Sequence, residues 1–176
     1  MPCILSSGKS LACRDYQGGI KAVYIGAYNG STLTYGMTSS STGSNMINSF
    51  TAGTSSYYTH EQELEIGSYK ETQELSIENG TVVINQELTL TFYPLDEELK
   101  NRLSALARNN WRIIYQDNNG YYYMMGLKNG CRMTGGEFSV GKALADLHGA
   151  TITFTSKEPL SSTKLTTAAA LQLITA

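Results

Sequence analysis

Three glutamates at alternate positions, Glu61, Glu63 and Glu65, directly follow His60 in a sequence of 176 residues. Paired carboxylates can act as general acid and base, or as a nucleophile in glycoside hydrolysis, and a neighbouring imidazole can pass a proton. The spacing argues for a different role. Residues i, i+2 and i+4 of a strand share one face, so Glu61, Glu63 and Glu65 form an acidic stripe, while Gln62, Leu64 and Ile66 share the other side. His60 then points away from Glu61 and Glu63 and reads as an exposed or interfacial imidazole. A stripe is a surface and not a pocket-forming loop, which leaves a carboxylate glycan hydrolase as a minor reading. The simplest role for the stripe is a solvated face that keeps the sheet soluble.

Other chemistry is thinner still. Cys3, Cys13 and Cys131 are odd in number and lack C-x-x-C spacing, and the only histidines, His60 and His148, are far apart. Neither a disulfide framework nor a metal site is expected. His148 beside Gly149, just ahead of a strand, reads as a turn residue. No complete G-x-S-x-G, H-E-x-x-H or P-loop motif occurs, and Gly135-Gly136 with Gly141 reads as a bulge or bend. The expectation is a protein without cofactor or enzymatic activity. Tyr57-Tyr58 and Tyr121-Tyr122-Tyr123 could stack bases or sugars, but alternation puts only every second ring on one face. Without interleaved basic residues, packing is favoured over nucleic-acid stacking. A carbohydrate-binding or host-attachment β module stays open as the alternative.

The composition frames these side chains. One domain is expected at this length. Thirteen Lys+Arg against 15 Asp+Glu give a net charge of −2, which excludes broad wrapping of nucleic acid. Charged residues are only 16% of the chain, with 18 Ser and 19 Thr filling the polar quota, a surface suited to packing on other surfaces. No run approaches the roughly 18 apolar residues of a membrane span, and the start lacks a basic segment followed by an apolar one. No membrane insertion is expected, and the chain reads as soluble and made in a cytoplasm.

The elements that must position these residues are mostly strands. Asn29-Gly30, Asn79-Gly80, Asn119-Gly120 and Asn129-Gly130 each predict a two-residue type I′ reversal. Around Asn79-Gly80, Gln73, Leu75 and Ile77, then Leu88, Leu90 and Phe92, alternate with polar residues and predict a long antiparallel hairpin. WRIIYQD, YYYMMGLK and CRMTGGEFSV read as a three-stranded meander, KAVYIGAY as an early strand and GATITFTS as a late one. A helix is predicted over 95–109, with Leu95, Leu99, Leu103 and Leu106 as its docking face and Asp96, Glu97 and Glu98 at its positive end. Leu144–Leu147 has room for a single further turn.

Charge is uneven along the chain. No charged residue occurs from Asn29 to Thr59, whereas residues 60–93 hold seven glutamates against Lys70 alone, a balance of −6 that leaves +4 elsewhere. The uncharged stretch, 29–60, is too long for a structureless loop. With Tyr35, Met37, Met46, Ile47 and Phe50 it reads as an extended arm or hairpin that buries these side chains. Residues 157–176, Ser/Thr-rich with apolar residues near the end, read as a second docking segment.

GGIKAVYIGAYN at 18–29, the helix followed by WRIIYQDNNGYYYMMGLKNG at 111–130, and GKALADLHGATITFTSKEP at 141–159 have a layout that resembles tail-tube-like and neck-ring structural proteins of tailed bacteriophages of Bacteroidetes hosts, the crAss-like group included. The similarity covers about two thirds of the chain and lies in style more than in signature motifs. It implies a single tail-tube-like domain over 1–176, an antiparallel β-sandwich or small barrel with one flanking helix and an arm that reaches a neighbour. It further implies a homo-oligomeric ring in the virion, assembled in the host bacterial cytoplasm beside other tail or neck proteins. DNA would pass through the lumen without specific binding. In that geometry Glu61, Glu63 and Glu65 become lumen candidates, since an anionic wall repels phosphate, and the uncharged arm becomes an oligomerisation contact with few charges to desolvate.

Overall fold

The computed structural model describes residues 15–28, 33–38, 46–50 and 56–174. Asn29-Gly30, Cys3, Cys13 and parts of the 29–60 arm lie outside them. Among the described residues the order is β1 (Ile20–Ala27), β2 (Tyr35–Thr38), β3 (Met46–Phe50), β4 (Tyr57–Glu61), β5 (Ser68–Ser76), β6 (Thr81–Phe92), α1 (Glu97–Leu106), β7 (Trp111–Asp117), β8 (Tyr122–Met125), β9 (Arg132–Ser139), β10 (Gly149–Glu158), β11 (Thr163–Leu165) and α2 (Thr167–Ile174). The fold is mainly β, as expected: a seven-stranded sheet, β2-β3-β11-β8-β7-β1-β4, faces a four-stranded sheet, β5-β6-β10-β9. All pairs are antiparallel except one parallel contact, Leu165 beside Ile47.

Alternation along the central strands fills two cores. Val23 and Ile25 of β1, Ile113 and Tyr115 of β7 and Met125 of β8 meet Leu88, Leu90, Ile152 and Phe154 between the sheets. Their neighbours Ala22, Tyr24, Ile114 and Met124 point to the other side, where Ala169, Ala170 and Leu173 of α2 cover them. A strand buried on both faces must be apolar at successive positions, which is why KAVYIGAY and WRIIYQD lack clean alternation. The second cover, α2, is the element that the expectation of one helix leaves out. The described part of the 157–176 segment docks on its own chain: Thr163–Leu165 of β11 pair with β8, and α2 closes the second core.

The predicted helix is observed over Glu97–Leu106. Asp96 caps it by accepting from the Leu99 N–H at 2.7 Å, and the Trp111 indole donates to the Leu106 carbonyl at 2.7 Å, which satisfies one orphan group at each end. Leu103 and Leu106 are buried in the intersheet core and Leu99 packs against it, whereas Leu95 precedes the first turn.

The turns differ from expectation in type. Gly80, Gly120 and Gly130 have φ of +61°, +82° and +72°, while the asparagines before them keep negative φ. Each pair therefore reverses the chain with a left-handed glycine alone, and not as the type I′ turn that needs positive φ at both residues. The β5–β6 hairpin pairs in the expected register from Ser68 opposite Thr89 to Ser76 opposite Thr81. The meander needs correction. β7 and β8 form a hairpin, but β9 crosses to the other sheet and pairs with β10, while Cys131 just ahead of it bridges to Trp111 of β7. The Gly135 region does form a bulge, because the register slips opposite Thr153 and leaves Thr134 unmatched.

Buried polar groups hold that crossing. Glu158 accepts the backbone N–H of Asn129 at 2.8 Å and of Lys128 at 3.2 Å, Ser156 donates to the Gly130 carbonyl, and Gln86 accepts from Gly126. Arg112 donates to the Leu127 carbonyl and lies over the Tyr28 ring. Without these partners the turn would bury several backbone groups unsatisfied.

Candidate functional site

The acidic stripe does not exist as one strand face. β4 ends at Glu61, and residues 62–67 form the turn that carries the chain from the seven-stranded to the four-stranded sheet, with Glu65 at φ +66°. The strand stops because Gln62 turns back: its N–H donates to the Lys21 carbonyl, and its side-chain oxygen accepts from Thr91 on β6. Glu61, Glu63 and Glu65 are all exposed, as are Leu64 and Ile66. Glu61 and Glu63 line one groove with Lys21 and Tyr93, and Glu65 is not part of it. The three residues make an acidic corner at the end of the sandwich.

The other glutamates of the acidic segment go elsewhere. Glu71 is structural, accepting from the Ser162 N–H and the Tyr69 hydroxyl. Glu87 sits opposite Lys70 in register. Glu74 and Glu78 stand at the tip of the β5–β6 hairpin, at the far end of β6 from the acidic corner. Over the ten steps from Val82 to Phe92, a rise of about 3.3 Å each separates the two ends by about 33 Å.

Between those ends lies a feature that sequence reasoning missed. The outward residues of β6 and β10 are threonines in register: Thr89 opposite Thr153 and Thr91 opposite Thr151, with hydroxyl pairs at 3.4 and 3.3 Å. Thr155 continues the row opposite Glu87. The cations on this face, Lys70, Arg132 and Lys157, are interspersed with Glu74, Glu87 and Glu137. The signal was present as T-x-T in ELTLTF and TITFTS. It marks a strand whose outer face is hydroxyl-rich.

His60 is half-buried, not exposed. Tyr58 and His60 share the intersheet face of β4, opposite Ile25 and Val23, and the His60 ring meets Phe92 edge-on at 5.5 Å. Burial holds its pKa below the ordinary histidine value, and the Arg102 cation adds to that. Arg102 itself pairs with Glu98 one helical turn back. His60 thus belongs to a packed groove between β4 and α1 and is not set to relay protons to Glu63 or Glu65. His148 is exposed and accepts from the Leu95 N–H at 3.4 Å. Among the described residues no group of three or more His, Cys, Asp or Glu could hold a metal ion.

The tyrosines are divided by alternation. Tyr123 stacks on Tyr115 and Tyr115 on Tyr69, at 5.3 and 4.3 Å, along the intersheet side, while Tyr122 turns to Tyr24 on the other. Tyr121 carries Lys164 over its ring, and Tyr57 lies buried over Gly26. Burial lifts the Tyr57 hydroxyl to about 12. Of the residues expected on the arm, Ile47 is fully buried in the second core and Tyr35 and Phe50 pack against it, Met46 is half-buried and Met37 exposed. The β2–β3 hairpin is an edge of the chain's own sheet, locked where Phe50 donates to Gln172 of α2.

The chain matches no protein-family model, no curated protein and no solved structure.

Proposed function

We propose that this chain is a structural, non-enzymatic virion protein that forms a homo-oligomeric ring in a phage tail tube or neck and encloses the DNA channel. The observation that carries the reading is the outer face of the four-stranded sheet, a regular threonine surface with cations and anions interspersed and acidic residues at both ends. A lumen of this kind offers phosphate hydrogen-bonding hydroxyls but no net positive field, so DNA has nothing to anchor it. Glu61, Glu63 and Glu65 then act as an acidic border of the sheet and not as its lining. The sequence layout supports the same family of assemblies, and the low charge of the chain favours burial of its surface against other copies.

Electron microscopy of the purified full chain tests the reading. Closed rings or tubes with a central hole are expected, and DNA should show no retention on them at physiological salt. A monomer at every concentration, or tight DNA binding, overturns it. The internal use of Tyr57, Tyr115 and Tyr123 weakens the sugar-stacking alternative, because Tyr57 is buried against Gly26 and Tyr115 stacks between Tyr69 and Tyr123.

A further inference from the structure

The β5–β6 hairpin runs beyond the body that it helps to build. Tyr69 opposite Leu88 lies on the core face, and the same face continues to Leu75 opposite Val82, but past the sandwich nothing among the described residues covers it. Leu75 is 68% exposed, Val82 51% and Ile77, in the turn, 97%. Glu74 and Glu78 flank these apolar side chains, so the tip is an acidic-rimmed apolar knob.

At the other end of β6 lies a feature of opposite character. A groove of ≈ 370 Å³ between β4 and α1 is walled by Ile25, Tyr58, Ala105, Leu106 and Trp111, with Arg102 among its lining residues. Arg108 lies in the segment that joins Leu106 of α1 to Trp111 of β7, both of which line the groove. β4 is the last strand of its sheet, so its outer edge has no partner among the described residues. The knob stands at one end of β6, and Phe92, whose ring meets His60 of the groove, stands about 33 Å of strand away at the other, so a subunit does not fill its own groove.

We infer that the hairpin tip of one copy docks in the β4–α1 groove of the next copy, with Ile77 and Leu75 as apolar anchors and Glu74 and Glu78 toward Arg108 and toward Arg102, which would share its charge between them and Glu98. This rests on the homo-oligomeric reading above and specifies its contact. The knob and its socket are different surfaces of the same molecule, so the contact is heterologous: it closes into a ring when the rotation between copies divides a full turn, and otherwise continues as a filament. The open edge of β4 beside the groove lets the incoming hairpin extend the contact through backbone hydrogen bonds, beyond what the tip alone buries.

Native mass spectrometry of the full chain distinguishes the possibilities. Ile77→Asp changes a fully exposed residue and Ala105→Glu an exposed helical one, so both variants should keep the wild-type circular dichroism and unfolding midpoint. Wild type is expected to assemble, and each variant alone to fall to the 19.2 kDa monomer. A mixture of the two is expected to stop at a dimer of one copy of each, because only one intact tip and one intact groove remain. Ile77→Asp that assembles like wild type, or a mixture that stays monomeric, overturns the tip-in-groove contact and leaves the ring reading standing. A wild-type chain that is monomeric throughout overturns both.

Discussion

The Glu158 carboxylate accepts the Asn129 N–H at 2.8 Å from a position almost closed to solvent, and so ties the end of β10 to the turn at which the chain changes sheets. Burial raises the Glu158 pKa, and the N–H groups of Asn129 and Lys128 only partly offset this. A raised folded-state pKa means that this group favours the fold fully below its unfolded value of about 4.3, and that the contribution is lost as pH rises through the folded value. Glu158→Gln keeps an acceptor and removes the charge, so its stability relative to wild type should improve between acidic and neutral pH. Glu158→Ala should cost about 2–4 kcal/mol by orphaning the turn's donors. Urea unfolding of the three proteins at pH 4 and pH 7 decides the matter, and a Gln variant as damaged as Ala would show that the charge itself is needed.

His60 has the opposite pH dependence. Its folded pKa is lowered, first by burial and then by Arg102, so its contribution is present above the unfolded value of about 6.5 and is lost as pH falls through the folded value. The wild-type chain should lose stability on acidification from pH 7 in a step that His60→Gln lacks. An NMR titration placing the His60 midpoint above about 6.5 would contradict this.

Two glycines with the same backbone handedness should respond differently to a methyl group. A Cβ at Gly80 meets open space, so Gly80→Ala should cost only the left-handed strain of about 1 kcal/mol. At Gly130 the Cβ would stand 2.8 Å from the Tyr28 ring, which is fixed by its hydroxyl donating to Lys128 at 2.8 Å. Gly130→Ala should therefore cost about 2–3 kcal/mol more than strain alone. Equal midpoints in thermal unfolding would show that the ring moves freely.

The helix docking face is unequal along its length. Leu103→Ala should destabilise by about 2–5 kcal/mol, whereas Leu95→Ala, ahead of the first turn and only half-buried, should change stability by less than about 1 kcal/mol. Similar losses in chemical denaturation at both positions would mean that the leucine stripe docks as one unit.

The legible parts of this fold are those with a single period. The 68–92 hairpin and the late strand show plain alternation, and α1 has leucines at helical spacing with an acidic start. Partner choice was not legible. β9 follows β8 through an Asn-Gly turn as a meander would, and the crossing is held by the buried contacts of Glu158, Ser156 and Gln86 and by the ladder with β10. Glu61, Glu63 and Glu65 fit the strand period, but Gln62 captures backbone groups on both sheets and ends the strand between them. α2 had an indirect signal, since β1 and β7 are apolar on both faces and require a second cover. The threonine face was written in the T-x-T runs, but a hydroxyl row carries no chemical signature that points to a ligand.

The order of synthesis follows from the place of β11. Thr163–Leu165 lies between β3 and β8, so Ile47 finds its neighbour Leu165 only after roughly 120 further residues have been made, about 6–24 s at bacterial elongation rates. Until then the β2–β3 hairpin leaves the ribosome with no strand beside it and an apolar face uncovered. The nascent chain thus passes through an interval in which its early half is sticky and incomplete, and a fast start of polymerisation with other copies would compete with its own completion.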